Sequence, residues 1–347
     1  MSKLFDVNNQ HNFTYLLIWQ IRFSLTNTTE YDNLPTDLKG LKNHAIFVRV
    51  LILLKNVEIH KRGQIKIMGI LNASPESFYK KSIAICSESI SQRAKELELE
   101  GADIIDIGTM STAPYLDTMI PARVEGERMR CAIEAVKGAT NLPVSIDTPR
   151  AAVAKLSIEL GANLINDISG LRHDKKMADV VSQSGLPIII GAFGNGRSPC
   201  NFGNVRETID LLRKSIEIAN LKMISDENII VDPSIGFFRK DGKNPFFTKI
   251  TKREWYQRDL DILSDLEKLD ALSKPVCISV SNKSFIGHVL HLNADERIIP
   301  SVVFELLCFL KGASIIRTHN VREIKLALKA LSVLPSTITD KLKFTSF

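Results

Sequence analysis

The strongest constraint on this chain is a rhythm. From Ile65 onward, apolar runs of strand length recur eight times: "IKIMGIL" 65–71, "DIIDIG" 103–108, "LPVSID" 142–147, "NLINDI" 163–168, "LPIIIG" 186–191, "NIIVDP" 228–233, "KPVCISV" 274–280 and "ASIIRT" 313–318. Segments with helical spacing fall between and after them, at 84–100, 121–138, 149–161, 174–184, 204–225, 254–271, 295–311 and 320–333. Strands that are apolar throughout, without alternation, point to a parallel sheet covered on its faces. Regular alternation of strand and helix makes the class α/β. Eight such units at this chain length predict a (β/α)8 TIM barrel. A doubly wound sheet is the alternative; it wants a Gly-rich dinucleotide turn after an early strand, and "GTMSTAP" is not one.

Upstream, "FVRVLILLKNVEIHKRGQ" (47–64) reads as a strand, a turn and a second short strand, a hairpin placed to close the barrel floor. Residues 1–45 are rich in Asn, Thr and Asp and show no sustained periodicity. The expected organisation is an unplaced extension over 1–45, disordered or an artefact of the assigned start, then a barrel over 46–335 and a tail over 336–347.

The net charge of +6 suits an anionic partner, but Lys and Arg are spread along the chain and form no run of the kind nucleic-acid binding uses. Small anionic substrates fit that balance better. The five cysteines, Cys86, Cys131, Cys200, Cys277 and Cys308, are far apart and form no CxxC or Cys/His metal spacing. They read as buried thiols of a reducing compartment. No apolar run approaches the roughly 20 residues of a membrane span. "YLLIWQI" near the start has neither the flank nor the cleavage pattern of a secretory signal. A cytoplasmic protein without membrane contact is expected.

A barrel of this kind carries its chemistry at the C-terminal ends of its strands. The first predicted strand ends on Asn72 and the second leads into "GTMSTAPY". The third ends on Asp147, the fourth on Asn166 and Asp167, and the sixth on Asp232. The seventh leads into "SVSNKSFIG" with Lys283, and the eighth brings Arg317 and His319. Each has a plain reading: Asp147 as a helix cap, Asn166–Asp167 and Asp232-Pro as turns, Lys283 as a solvated loop residue, His319 as a core histidine. Six of eight strand ends carrying such groups is hard to explain as caps alone, because converging polar groups are costly to bury without a ligand or each other. Two carboxylates, a carboxamide and a lysine suit a flat heterocycle with donors and acceptors on its edges. Arg317 and His319 suit an anion, where phosphate sites of this fold often lie. Asn72 offers an oxygen to a hard cation such as Mg2+, which typically bridges phosphates.

At these residues the sequence resembles dihydropteroate synthase, a family of pterin-binding barrels, from about Val48 to Leu331. The motifs are "IMGILNASPESF", "GADIIDIGTMSTAP", "VSIDT", "LINDISG", "IIVDPSIGF", "SVSNKSFIG" and "GASIIRTHNV"; "SPESFYK" and "MSTAPY" look closest to archaeal members. The resemblance implies condensation of 6-hydroxymethyl-7,8-dihydropterin diphosphate with an arylamine, usually p-aminobenzoate, releasing diphosphate in folate biosynthesis. It implies that Asp147, Asn166, Asp232 and Lys283 hold the pterin. Asn72 would hold Mg2+ and, with Arg317 and His319, the diphosphate; Thr112, Pro114, Phe237 and Ser284 would shape the arylamine site. Asp147, Lys283, Arg317 and His319 would carry the chemistry. Pro75 to Phe78 would form part of a lid. Family members are often homodimers.

The family's second loop usually reads Ser-Thr-Arg-Pro, and here Ala113 stands for the arginine. The seventh strand usually leads into Ser-Arg-Lys-Ser, and here Asn282 stands for that arginine. Asn320 replaces a usual Asp, and "GAFGNG" replaces a motif with methionine. Arg150, Arg172, Arg239 and Lys240 are the expected compensating cations. An acceptor other than plain p-aminobenzoate, such as a ribosylated and phosphorylated aminobenzene, would need them. Two other functions share the barrel: a pterin-dependent methyltransferase, which has no diphosphate to handle, and a non-catalytic pterin-binding protein.

Overall fold

The computed structural model describes residues 51–54, 57–60, 65–74, 87–194 and 199–334. The expected extension over 1–45, the tail over 336–347 and the lid segment Pro75 to Phe78 lie outside the described residues.

Two short antiparallel strands come first, β1 (Leu51–Leu54) and β2 (Val57–His60). The repeating units follow: β3 (Lys66–Asn72), α1 (Ser87–Glu100), β4 (Ile104–Gly108), α2 (Ala122–Ala139), β5 (Val144–Asp147), α3 (Ala151–Glu159), β6 (Leu164–Asp167), α4 (Met177–Ser184), β7 (Ile188–Gly191), α5 (Val205–Leu221) and β8 (Ile229–Asp232). A long excursion carries the two-residue strands β9 (Phe238–Arg239) and β10 (Thr248–Lys249), paired in parallel. Then come α6 (Trp255–Ser264), β11 (Cys277–Ile278), α7 (Ser284–Leu290), α8 (Ile298–Leu310), β12 (Ile315–Thr318) and α9 (Val321–Ser332).

The main sheet has eight parallel strands in the order β11-β12-β3-β4-β5-β6-β7-β8. A further parallel bridge, Val231 with Val276, joins β8 to the segment entering β11 and closes the sheet on itself. The barrel expected from eight β-then-α units is therefore what forms. Its strands are apolar on both sides because both sides are covered. Ile67, Leu71, Ile105, Ile107, Ile146, Ile165, Val231 and Ile316 belong to the cluster shared with the helices. The alternating positions face inward and divide by height. At the entry ends of the strands, Met68, Ile104, Leu164, Ile189, Ile230, Cys277 and Ile315 form a separate buried cluster. Ile59, from the hairpin, completes that cluster, so the hairpin plugs the floor as its position in the sequence predicts.

Some boundaries differ from expectation. The run 274–280 contributes only Cys277–Ile278 as regular strand, because Pro275 has no N–H for the ladder; its carbonyl accepts from Val231 N instead. The helix expected over 254–271 divides into α6 and a 3₁₀ stretch, Leu266–Leu272, which buries Leu266, Leu269 and Leu272 at a spacing of three. "SFIGHVL", which falls between the expected strands and helices, is the short helix α7. Cys131 is exposed on the outer side of α2, against the expectation of buried thiols; Cys277 and Cys308 are buried and Cys200 is half-buried.

Candidate active site

One strand turn above the apolar floor, the inward positions change character. The register sets Asn72 beside Gly108 and Gly108 beside Asp147, and then Asp147 beside Asn166 and Gly191 beside Asp232. Across the barrel, Arg317 of β12 donates from Nε to Asp106 Oδ2 at 2.6 Å and from Nη2 to Asp147 Oδ2 at 2.6 Å. Asn166 Nδ2 donates to the same Asp106 oxygen at 3.3 Å. Two carboxylates, a guanidinium and a carboxamide thus form one connected polar layer, with Asp106 fully buried.

This layer forms one wall of a cavity that is partly open to solvent. Of the residues predicted for the site, the cavity is lined by Asn72, Thr112, Pro114, Asp147, Phe237, Lys283, Ser284, Arg317 and His319. Asn166 and Asp232 are buried in the polar layer instead of lining the cavity. Asp232 Oδ1 accepts from Ser234 N at 2.6 Å, and its charge is felt by Lys283. Lys283 Nζ lies 4.6 Å from the centre of the Phe237 ring. Backbone geometry supports the approach: Gly236 has φ +85°, and a Cβ there would sit 3.1 Å from Lys283 Cδ.

Burial governs the protonation of these groups. It pushes the Asp147 carboxyl up to about 7, against Arg317 and with the help of the Asp106 charge. Burial also raises Asp232, opposed by the bond from Ser234 N and by Lys283 and Arg317. The Lys283 ammonium is pushed down to about 8 by burial and then by Arg317. His319 falls to about 3 through burial and the cations Arg317, Lys283 and Arg93, so its imidazole is neutral at pH 7. An incoming anion would reverse the last two shifts, because it stabilises both charged forms.

The second loop is braced from the β8 excursion. Asn244 Nδ2 donates to Ala113 O at 2.6 Å, and Lys243 N donates to Pro114 O at 2.7 Å. Met110, Ile168 and Phe246 pack together there, with Ile120 and Phe237 against them. Of the four expected compensating cations, three are engaged elsewhere. Arg150 bonds Glu125 Oε2 at 2.6 Å and Ile120 O at 2.7 Å. Arg172 bonds Phe193 O, and the exposed Lys240 pairs with Glu254. Arg239 alone of the four lines the cavity. Asp106, Tyr115, Ser279 and Ser281 also belong to the site and were not singled out from the sequence.

A carboxamide oxygen at the end of β3 fits a hard cation that takes its remaining ligands from phosphate and water. Asn72 Oδ1 lies 3.6 Å from where a Cβ at Gly108 would be, so the glycine leaves the space beside it open. Among the described residues no helix is long and apolar enough to cross a membrane.

The sequence model of the pterin binding enzymes matches residues 68–319. A dihydropteroate synthase of Clostridium beijerinckii is 36% identical over 270 residues, covering 77% of this chain and 93% of the relative. The structure of the Xanthomonas albilineans dihydropteroate synthase with 4-aminobenzoic acid superimposes with a TM-score of 0.70 at 26% identity, covering 83% of this chain and 100% of that one. The Coxiella burnetii enzyme in complex with pteroic acid gives 0.67 at 27% identity, covering 85% and 98%. The expected lean toward archaeal members finds no support in these relatives. The apolar-floored barrel, its polar upper layer and these similarities agree: the chain belongs to the dihydropteroate synthases, transferases of folate biosynthesis within the pterin-binding enzyme family.

Proposed function

We propose that this chain condenses 6-hydroxymethyl-7,8-dihydropterin diphosphate with p-aminobenzoate. The carbon–oxygen bond from the methylene to the diphosphate breaks, a carbon–nitrogen bond to the amine forms, and the amine gives up one proton. The observation that carries the reading is the connected layer Asp106–Arg317–Asp147 with Asn166, Asp232 and Lys283, set directly above an apolar floor. A flat heterocycle seated there exchanges hydrogen bonds with acids and amides on its edge, and the Phe237 side of Lys283 offers an apolar face.

Departure of diphosphate leaves positive charge on the pterin methylene, and fixed carboxylates within the layer stabilise it. Negative charge grows on the leaving group beside Arg317, Lys283 and His319. The neutral His319 is suited to donate a hydrogen bond or take up a proton as that charge develops. Asn72 is the residue that would hold Mg2+, which supplies neutralisation of the diphosphate oxygens when bound. Thr112, Pro114 and Ser284 bound the remaining space, where the arylamine sits and water is kept from the same electrophile.

Diphosphate release from the dihydropterin diphosphate, measured in Mg2+ with and without p-aminobenzoate, tests the proposal. Release that requires the arylamine and yields pteroate is expected. Tight pterin binding with no arylamine-dependent release would overturn it in favour of a binding protein. A competition between p-aminobenzoate and its ribosylated, phosphorylated analogue checks the acceptor; preference for the ribosylated compound would overturn that part.

A further inference from the structure

We propose that Ser281 is a further binding residue of this site, a hydroxyl whose proton is reserved for an oxygen of the diphosphate, and that Asn320 is the positioning residue that reserves it; the inference rests on the synthase reading above. Parallel pairing of Ile278 with Ile316 sets β11 and β12 in step. Counting onward from that pair brings Ser279 level with Arg317 and Ser281 level with His319. The alternation of the strands persists there: Val280 packs in the cluster shared with the helices, while Ser279, Ser281, Arg317 and His319 line the cavity. Ser281 is only 3% exposed, and its Oγ already accepts twice, from His319 N at 3.1 Å and from Asn320 Nδ2 at 3.2 Å. A serine hydroxyl offers two lone pairs and one proton. With both lone pairs taken, the proton is what remains, and no oxygen among the described residues accepts it. A buried donor of this kind takes its acceptor from the cavity, and an anionic oxygen makes the strongest bond with it.

The surroundings favour an anion at this position. Ser281 is bonded to the backbone of His319, one of the residues set against the leaving group, and Arg317 and Lys283 line the same cavity. Arg317 spends Nε and Nη2 on Asp106 and Asp147, so a further donor beside it is of use to a diphosphate. Asn320 settles the direction of the Ser281 bond. It is the N-cap of α9, where an asparagine ordinarily turns its side-chain oxygen to the N–H groups of the first turn. Here the side chain makes no such bond and turns Nδ2 to Ser281 instead. Its own N–H donates to Thr318 Oγ1 at 3.0 Å, and it is 5% exposed, so the carboxamide is held in place. An amide nitrogen can only donate, which leaves Ser281 to donate elsewhere. A carboxylate at this position, the residue usual in the family, offers only acceptors and would draw the Ser281 proton away from the cavity.

The test uses the full chain and two probes that differ by the diphosphate alone: 6-hydroxymethylpterin and its diphosphate ester. Calorimetry in Mg2+ gives the Kd of each for the wild type, Ser281→Ala, Ser281→Thr, Asn320→Asp and the double variant Ser281→Ala/Asn320→Asp. A hydrogen bond to a charged group predicts that Ser281→Ala weakens the ester by about tenfold to a hundredfold and leaves the alcohol within about twofold. Ser281→Thr keeps the hydroxyl and should keep most of the affinity. Asn320→Asp should cost the ester a factor similar to Ser281→Ala, and much less when made on top of Ser281→Ala, because the proton it captures is already gone. An ester affinity unchanged in Ser281→Ala overturns the inference, and so does an equal loss for ester and alcohol, which would make Ser281 structural. A loss from Asn320→Asp of the same size with and without the Ser281 hydroxyl would mean that it acts by charge alone, and overturns the role given to Asn320. A wild type that binds ester and alcohol equally would overturn the diphosphate reading itself, so the two failures are distinguishable.

Discussion

The lower and upper layers of the barrel interior are built from the same strands a few ångströms apart, and they obey opposite rules. The lower layer, from Ile59 to Ile315, is a dry contact of aliphatic side chains with one thiol, Cys277. Full burial of each large side chain there stabilises the fold by about 1.5–3 kcal/mol. The upper layer holds Asp106, Asp147, Asn166, Asp232, Lys283 and Arg317, whose desolvation opposes folding. The lesson is a division of labour along each strand: the entry end makes the barrel stable, and the exit end uses that stability to hold charges where water would otherwise take them.

Removal of the central cation should break the upper layer most severely. Arg317→Met leaves Asp106 and Asp147 facing each other without a partner. Turnover should fall by about a thousandfold or more, and stability by about 3–5 kcal/mol where both acids are charged. The sign with pH follows from burial. Asp147 is already raised above its unfolded value, and loss of Arg317 raises it further, so the folded state holds more protons than the unfolded one. The deficit should therefore be smaller at pH 5 than at pH 8. Urea titrations at both values check it; a deficit that grows toward acid would contradict the account.

A matching change in the floor should do the reverse. Ile59→Ala removes the hairpin's plug and leaves a cavity, costing about 2–4 kcal/mol. With the exit ends intact, KM for the pterin diphosphate and kcat at 25 °C should stay unchanged. A lowered melting temperature with normal kinetics would support separable layers; a shift in KM would show that the floor also positions the site.

How far the sequence foretold this division depends on the period at which a strand is read. The terminal residues Asn72, Asp147, Asn166 and Asp232 were legible because each closes an apolar run; the last three reach the polar layer and Asn72 lines the cavity. Asp106 was missed because it lies inside "DIIDIG", where a lone acid reads as an interruption. Yet Ile104, Asp106 and Gly108 share one face of β4, and counting back by two from Gly108 would have found it. Loop residues are another matter. Nothing local announces that Asn244 braces Ala113, or that Arg239 turns to Ser284 while Arg150 turns to Glu125. Those pairings join residues far apart in the chain and are fixed only when the barrel closes.

The charge of the upper layer should also show in a pH profile. Lys283 is pushed down to about 8, so in the free enzyme it is charged below that pH and neutral above it. A site for a diphosphate needs the charged form, so kcat/KM for the pterin diphosphate should fall above about pH 8, approaching tenfold per pH unit. Lys283→Arg, which keeps its charge, should move that limb to higher pH even if its activity is lower. An unmoved limb would assign the titration to another group.

The smallest effect expected tests how closely the backbone serves the upper layer. Gly236 has φ +85°, a conformation that costs a side chain about 1 kcal/mol, and its Cβ would come 3.1 Å from Lys283 Cδ. Lys283 is flexible along its stem, so the clash is relieved by a shift of a few tenths of an ångström and not by unfolding. Gly236→Ala should therefore lower stability by about 1 kcal/mol and raise KM for the pterin diphosphate several-fold, because the ammonium moves while the carboxylates stay. Unfolding midpoints and KM measured together decide the matter. Lost stability with unchanged KM would mean that the glycine serves only the turn, and that the ammonium is placed by Asp232 and the Phe237 ring instead.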